Sequence, residues 1–274
     1  MVFRLEKSGI SETIISLLAH GATNTKELQI KVNARKKVTK QAFYKALREL
    51  IAREIVLKNK QVILLNNSWV NKLHDFINTI DEHYQSQTAS FFFNLSEGES
   101  LVYRFKSIPN LDALWMHYFY LIVKQEKEAS ILMHNQHEFW SLVRPEEQEE
   151  MYQWIKNNKR RAYIVIGNNT KLDKATTKHI QDYDIEMMYE EGSSFKETYY
   201  YAIISDYIMT TVIDQKTARA VDAIYKKYEV VNKSVMSEVE NILKQVKKSK
   251  VIIQKNKVRA DKIRKMLIKK YFTF

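Results

Sequence analysis

Val38-Thr39-Lys40-Gln41-Ala42-Phe43-Tyr44-Lys45-Ala46-Leu47-Arg48-Glu49-Leu50-Ile51 reads as one helix with two unlike faces. Ala42, Phe43, Ala46, Leu47, Leu50 and Ile51 recur at spacings of three and four, which puts them on one side. Thr39 stands where an N-cap belongs, and Val38 can staple onto the first turn. Lys40, Gln41, Tyr44, Lys45 and Arg48 fall on the other side. A helix buried along one flank and cationic along the other suits the major groove of DNA. The same pattern also describes an ordinary surface helix, so its neighbours decide.

Upstream, Ser11 is placed to cap a helix through Ile14, Ile15, Leu17 and Leu18 that ends near Gly21. Thr23 or Asn24 caps a second helix carrying Leu28 and Val32, and Asn33 to Lys37 turns into the third. Downstream, Ile55-Val56-Leu57 and Val62-Ile63-Leu64-Leu65 flank the polar connection Lys58-Asn59-Lys60-Gln61, a hairpin pattern. Lys26 to Lys60 holds 11 Lys/Arg against 3 acids. Arg35, Lys36, Lys37 and Lys40 cluster where phosphates would lie. Gln41, Tyr44, Lys45 and Arg48 are candidates for base edges, with Thr39 at the helix start and Lys58 and Lys60 at the hairpin tip.

Over residues 1–70 this order of caps and apolar positions, with VTKQAFYKALRELIAREIV at its centre, resembles the winged helix-turn-helix family. The resemblance implies that helix 39–52 enters the major groove and that the hairpin tip reaches the flanking backbone or minor groove.

Charge is uneven along the 274 residues: +6 over 1–88, −4 over 89–230 and +10 over 231–274, for a formal net charge of +12. Basic ends favour a polyanion partner, and a mildly acidic middle favours a different task. The absence of cysteine excludes disulfides and thiolate zinc sites and fits a reducing compartment. No opening leader pattern and no apolar run of about 20 residues occurs, so a cytoplasmic protein without a membrane span is expected. With 5 Gly and 2 Pro, Gly-rich phosphate loops and flexible linkers are disfavoured.

Trp69 to Tyr84 reads as an amphipathic helix, giving a connector over 71–88 with its boundary at Gln85–Ser90. From 89 to 230 strands and helices alternate. Phe91–Phe93 and Leu101–Phe105 suggest a hairpin, Pro109 and Pro145 open helices, and Ile131–Met133, Ala162–Ile166, 185–189, 199–204 and 207–213 read as strands. The expected class is α+β and multi-domain: a winged helix, a central α/β sandwich and a long C-terminal helix.

His134-Asn135-Gln136-His137-Glu138 supplies metal-ligand types at no standard spacing, so a surface loop is the expectation and no metal or cofactor is expected. Gly167-Asn168-Asn169-Thr170 is read as a capped strand-to-helix turn in preference to an anion site. Tyr199 to Asp206, a following strand and DQKTARAVDAIYKKY resemble the last part of a phospholipase D-type half domain. Tyr199 and Tyr201 stand at that family's His and Lys places, with Asp206 at a neighbouring register. Since a free phenol has a pKa near 10, the resemblance implies a catalytically silent domain, hence no enzyme activity. The whole layout resembles the TrmB-like regulators, which join a winged helix to such a domain.

In 231–274, Val235, Val239, Ile242, Val246, Ile253, Ile263 and Leu267 fit a heptad seam, with Ser249 and Asn256 as polar members. A basic coiled-coil helix pairing two chains is therefore expected. The function these features predict is a sequence-specific regulator of transcription that binds double-stranded DNA as a homodimer. Its central domain would sense a small ligand or protein. The alternatives are an antitoxin-type protein that autoregulates, and a nuclease or phosphodiesterase with an unrecognised site.

Overall fold

The computed structural model describes residues 9–80, 95–193, 195–245 and 248–271. The chain divides into two compact units, Met1–Phe91 and Phe92–Phe274. The fold is mixed α+β, as expected.

The first unit runs α1 (Ile10–Leu18), β1 (Thr23–Asn24), α2 (Thr25–Arg35), α3 (Lys40–Ala52), β2 (Val56–Asn59), β3 (Val62–Leu65) and α4 (Asn67–Ile80). Ser11 lies inside α1; Gly9 precedes the helix, and its amide donates to the Glu12 carboxylate at 2.9 Å. The carboxylate at the third helical position does the capping that Ser11 was expected to do. Asn24 caps α2 by accepting from the Glu27 amide, and Thr39 caps α3 by accepting from the Ala42 amide at 3.2 Å. Between these helices the Asn33 side chain accepts from the Val38 amide at 3.1 Å, fixing the turn. β3 lies between β1 and β2, antiparallel to both. Ile14, Leu28, Val32, Phe43, Leu47, Leu50, Val56 and Ile63 close one core. The seam predicted for α3 is therefore its buried face.

The second unit holds a seven-stranded sheet in the order β4-β10-β9-β8-β5-β6-β7. Its strands are β4 (Ser100–Phe105), β5 (Ile131–Asn135), β6 (Ala162–Ile166), β7 (Ile185–Tyr189), β8 (Tyr199–Ile204), β9 (Tyr207–Val212) and β10 (Ser249–Lys255). β5, β6 and β7 are parallel neighbours; every other pairing is antiparallel. The helices are α5 (Ile108–Gln125), α6 (Trp140–Val143), α7 (Pro145–Asn157), α8 (Lys171–Thr177), α9 (Gln215–Lys227), α10 (Lys233–Lys244) and α11 (Lys257–Tyr271). The main core joins Met133, Ile164, Ala202, Met209, Val251 and Ile253 of the sheet to α5, α7, α9 and α10. On the opposite face, Ala260, Ile263 and Leu267 of α11 pack on Leu132, Tyr163, Val165, Ile203 and Ile208.

The C-terminal stretch, expected as one helix, is α10, β10 and α11. Val235, Val239 and Ile253 are buried in the main core, Ile242 is half-buried against it, and Ile263 and Leu267 belong to the opposite core. Val246 lies outside the described residues, as do Phe91–Phe93, the Gln85–Ser90 boundary and the connector beyond Ile80. The physical reason is local. Val251-Ile252-Ile253 is a β-branched run, and the heptad spacing passes through it without registering its preference for a pleated strand. The two polar seam members have structural tasks: Ser249 donates to the Phe105 carbonyl at 3.3 Å, and Asn256 caps α11 by accepting from the Arg259 amide. The dimer seam assigned to these residues is thus spent inside the chain.

Candidate nucleic-acid interface

α3 turns its apolar seam to the core: Phe43 is 0% exposed, Leu47 2% and Leu50 1%, with Ala42 and Ile51 half-buried at its margins. Its other side carries Lys40, Gln41, Lys45 and Arg48, all exposed. Tyr44 is half-buried, with its ring edge-on to Phe43 at 5.2 Å. That contact positions the phenol on the border between core and open face. Thr39 is exposed at the helix start, where its hydroxyl is committed to the Ala42 amide. Its role is therefore to hold the helix.

Arg35, Lys36 and Lys37 occupy the α2–α3 turn and are all exposed. The Arg35 guanidinium donates to the Ser16 hydroxyl at 3.4 Å, tying it lightly to α1. Lys58 and Lys60 are exposed at the β2–β3 turn. Asn59 pairs with Val62, so Lys60 and Gln61 alone make the connection. Lys60 takes φ 53°, the left-handed region that favours glycine. The Gln61 carbonyl accepts from the Thr25 amide at 2.9 Å, which anchors the hairpin to the start of α2. The first unit therefore gathers the eleven expected residues on a turn, a helix flank and a hairpin tip joined to one core.

In the second unit the stretch expected as a surface loop is buried: His134 is 0% exposed, His137 2% and Glu138 1%. The reason is its place at the carboxyl end of β5, where Glu190, Ser193 and Phe195 close over it. A Cβ on Gly167 would come within 2.7 Å of Gln136 Oε1 and 2.9 Å of Ser193 Cβ, so glycine alone permits that closure. His134 Nε2 lies 3.3 Å from Glu190 Oε2 and 3.2 Å from Ser193 Oγ. His137 lies between two carboxylates, Nδ1 3.0 Å from Asp173 Oδ1 and Nε2 3.4 Å from Asp222 Oδ1. Burial alone would lower the His137 pKa; the hydrogen bonds and charges of Asp173 and Asp222 outweigh it and raise it. The His137 hydrogen bond, with Lys226, draws Asp222 down to about 2. Burial pushes Glu138 up to about 7 against the Asn135 and Ser141 hydrogen bonds.

Among the described residues no group of three or more His, Asp or Glu is arranged to hold a metal ion. Thr170 and Asp173 form a reciprocal cap at the start of α8, each accepting from the other's amide at 3.1 Å, so the 167–170 turn is the capped turn expected. Asp112, Trp115, Asn135, Trp140, Gln148 and Tyr200 help line a cavity of about 30 Å³, room for roughly two waters. Burial raises Asp112 to about 6 despite Arg144, whose Nε donates to it at 3.2 Å. No helix among the described residues is long and apolar enough to cross a membrane.

No family model matches the chain, and no curated protein does. Among solved structures the chain is similar to TrmBL2, an archaeal chromatin protein whose structure shows a novel mode of DNA binding. The identity is 11% and the TM-score 0.35, over 95% of this chain and 91% of that one.

Proposed function

We propose that the chain is a sequence-specific DNA-binding regulator of transcription, built as a winged helix joined to a non-catalytic, TrmB-like sensing or interaction domain. One observation carries the reading. α3 buries Phe43, Ala46, Leu47 and Leu50 along one side while Lys40, Gln41, Lys45 and Arg48 stand exposed along the other, beside the cationic turn 35–37. That division of labour matches a helix that docks in a major groove, with phosphate contacts at its flanks.

The silent character of the second unit rests on chemistry. Tyr199 and Tyr201 occupy the positions where the phospholipase D-type pattern has its His and Lys. Burial raises the Tyr201 pKa against the lowering effect of Arg259, so its phenol keeps its proton near neutral pH. Neither tyrosine supplies an imidazole nucleophile or a phosphate-binding cation. The homodimer in this reading pairs through surfaces other than Val235, Val239, Ile253, Ile263 and Leu267, which are internal.

Selection of bound duplexes from a random pool tests the proposal. An enriched two-fold related sequence supports both recognition and dimerisation. Recovery of unenriched DNA, with a binding constant that ignores salt, overturns it.

A further inference from the structure

α11 packs on residues of β5, β6, β8 and β9 on its face of the sheet. Beyond Ile208 and Ile203 the same face continues across β8, β9, β10 and β4. Register places Tyr199 beside Val212, Val212 beside Lys250 and Lys250 beside Arg104. The next row runs Tyr201, Thr210, Ile252 and Val102. Arg104 is exposed, Tyr199, Tyr201, Lys250 and Ile252 are half-exposed and Val102 is 42% exposed, while Thr210 between them is buried. The two tyrosine rings stack at 6.0 Å and 26°.

Charge on this surface is one-sided. Lys106 and Lys248 are exposed just beyond the paired ends of β4 and β10. Among the described residues no carboxylate pairs with Arg104, Lys106, Lys248 or Lys250. Arg104 directly opposite Lys250 is a like-charge cross-strand pair, which costs a sheet stability unless an anion lies over it.

We infer that this open stretch of the face binds single-stranded nucleic acid. Phosphates would lie along the β4–β10 cations and unpaired bases would stack on the tyrosines two strands away, about 10 Å across the sheet. A duplex keeps its bases in its own stack and leaves the tyrosine rings unused. The inference is independent of duplex reading by α3 and stands on a different surface.

The test uses the full chain and a labelled oligo(dT) strand of about 20 nucleotides, read by fluorescence anisotropy beside a duplex of equal length. Arg104→Glu with Lys250→Glu lowers single-strand affinity at least tenfold, and Tyr199→Leu lowers it roughly tenfold. Lys45→Glu weakens duplex binding and leaves single-strand binding intact. If the double charge reversal unfolds the second unit by circular dichroism, Lys106→Ala with Lys248→Ala, both exposed, makes the same test. Absent single-strand binding overturns the inference. So does affinity unchanged in Tyr199→Leu, which is the signature of charge alone, or single-strand binding lost in Lys45→Glu.

Discussion

The imidazole Nδ1 of His137 lies 3.0 Å from Asp173 Oδ1, with both side chains almost wholly out of water. Because the folded pKa of His137 is raised, its contribution to stability is fully present below the unfolded value of about 6.5 and is lost as pH rises through the folded value. Glu138 acts in the same sense: its folded pKa of about 7 is above the ordinary value of 4.5, so the stability it brings is present below that ordinary value and is lost as pH rises from there to about 7. The melting temperature of the second unit is therefore expected to decline as pH rises from about 4.5 to 7 through Glu138, with His137 adding to the fall above about 6.5. Glu138→Gln flattens the decline and stabilises the unit at pH 8 by roughly 1–3 kcal/mol, since no buried charge then forms. Calorimetry across that range checks it; a melting temperature that climbs with pH contradicts it.

Base contacts and phosphate contacts separate by mutation. Arg48→Ala is expected to cost about 1–3 kcal/mol on a preferred site and to relax discrimination there. Lys36→Ala weakens binding evenly across sequences and lowers the salt slope by about 1. Binding titrations at several salt concentrations on matched and scrambled duplexes distinguish the two outcomes.

Lys60 allows charge to be removed without loss of the hairpin. Its φ of 53° is strained for lysine and natural for glycine. Lys60→Gly should leave stability unchanged or raise it by up to about 1 kcal/mol while reducing duplex affinity and its salt slope. A urea titration beside a binding curve reads both, and a marked loss of stability would show that the side chain, not the backbone, holds the turn.

Phe43 has no exposed surface, so Phe43→Ala should destabilise the first unit by roughly 3–5 kcal/mol. Thr39→Ala removes only the cap and should cost about 1 kcal/mol. Urea unfolding of the two variants ranks them, and a larger effect from the cap would upset the account of α3.

The readable parts of the sequence were those where local signals and tertiary demands agree. Thr39, Asn24 and the seam of α3 each satisfy a short-range rule and the core at once, so the first unit was legible element by element. The alternation from Ile131 to Lys227 was legible for the same reason. The segment after residue 230 misled because a 4–3 spacing of apolar residues fits a helix, while Val251–Ile253 belongs between β9 and β4, partners about 40 and 150 residues back that no local window sees. His134 to Glu138 are polar yet buried, and polarity in sequence carries no sign of that burial. Their burial depends on Glu190, Asp173 and Asp222, which arrive from other elements. The one nearby clue was the buried strand immediately before them.

β10 is inserted between β4 and β9, and among the described residues β4 has no other neighbour. During synthesis β4 leaves the ribosome about 140 residues before the strand that will cover its hydrogen-bonding edge, as the Ser249–Phe105 contact measures. Until then the nascent sheet exposes two bare flanks. Translation speed and chaperone supply therefore bear on the yield of the second unit more than on the first, whose strand pairings reach back no more than about 40 residues.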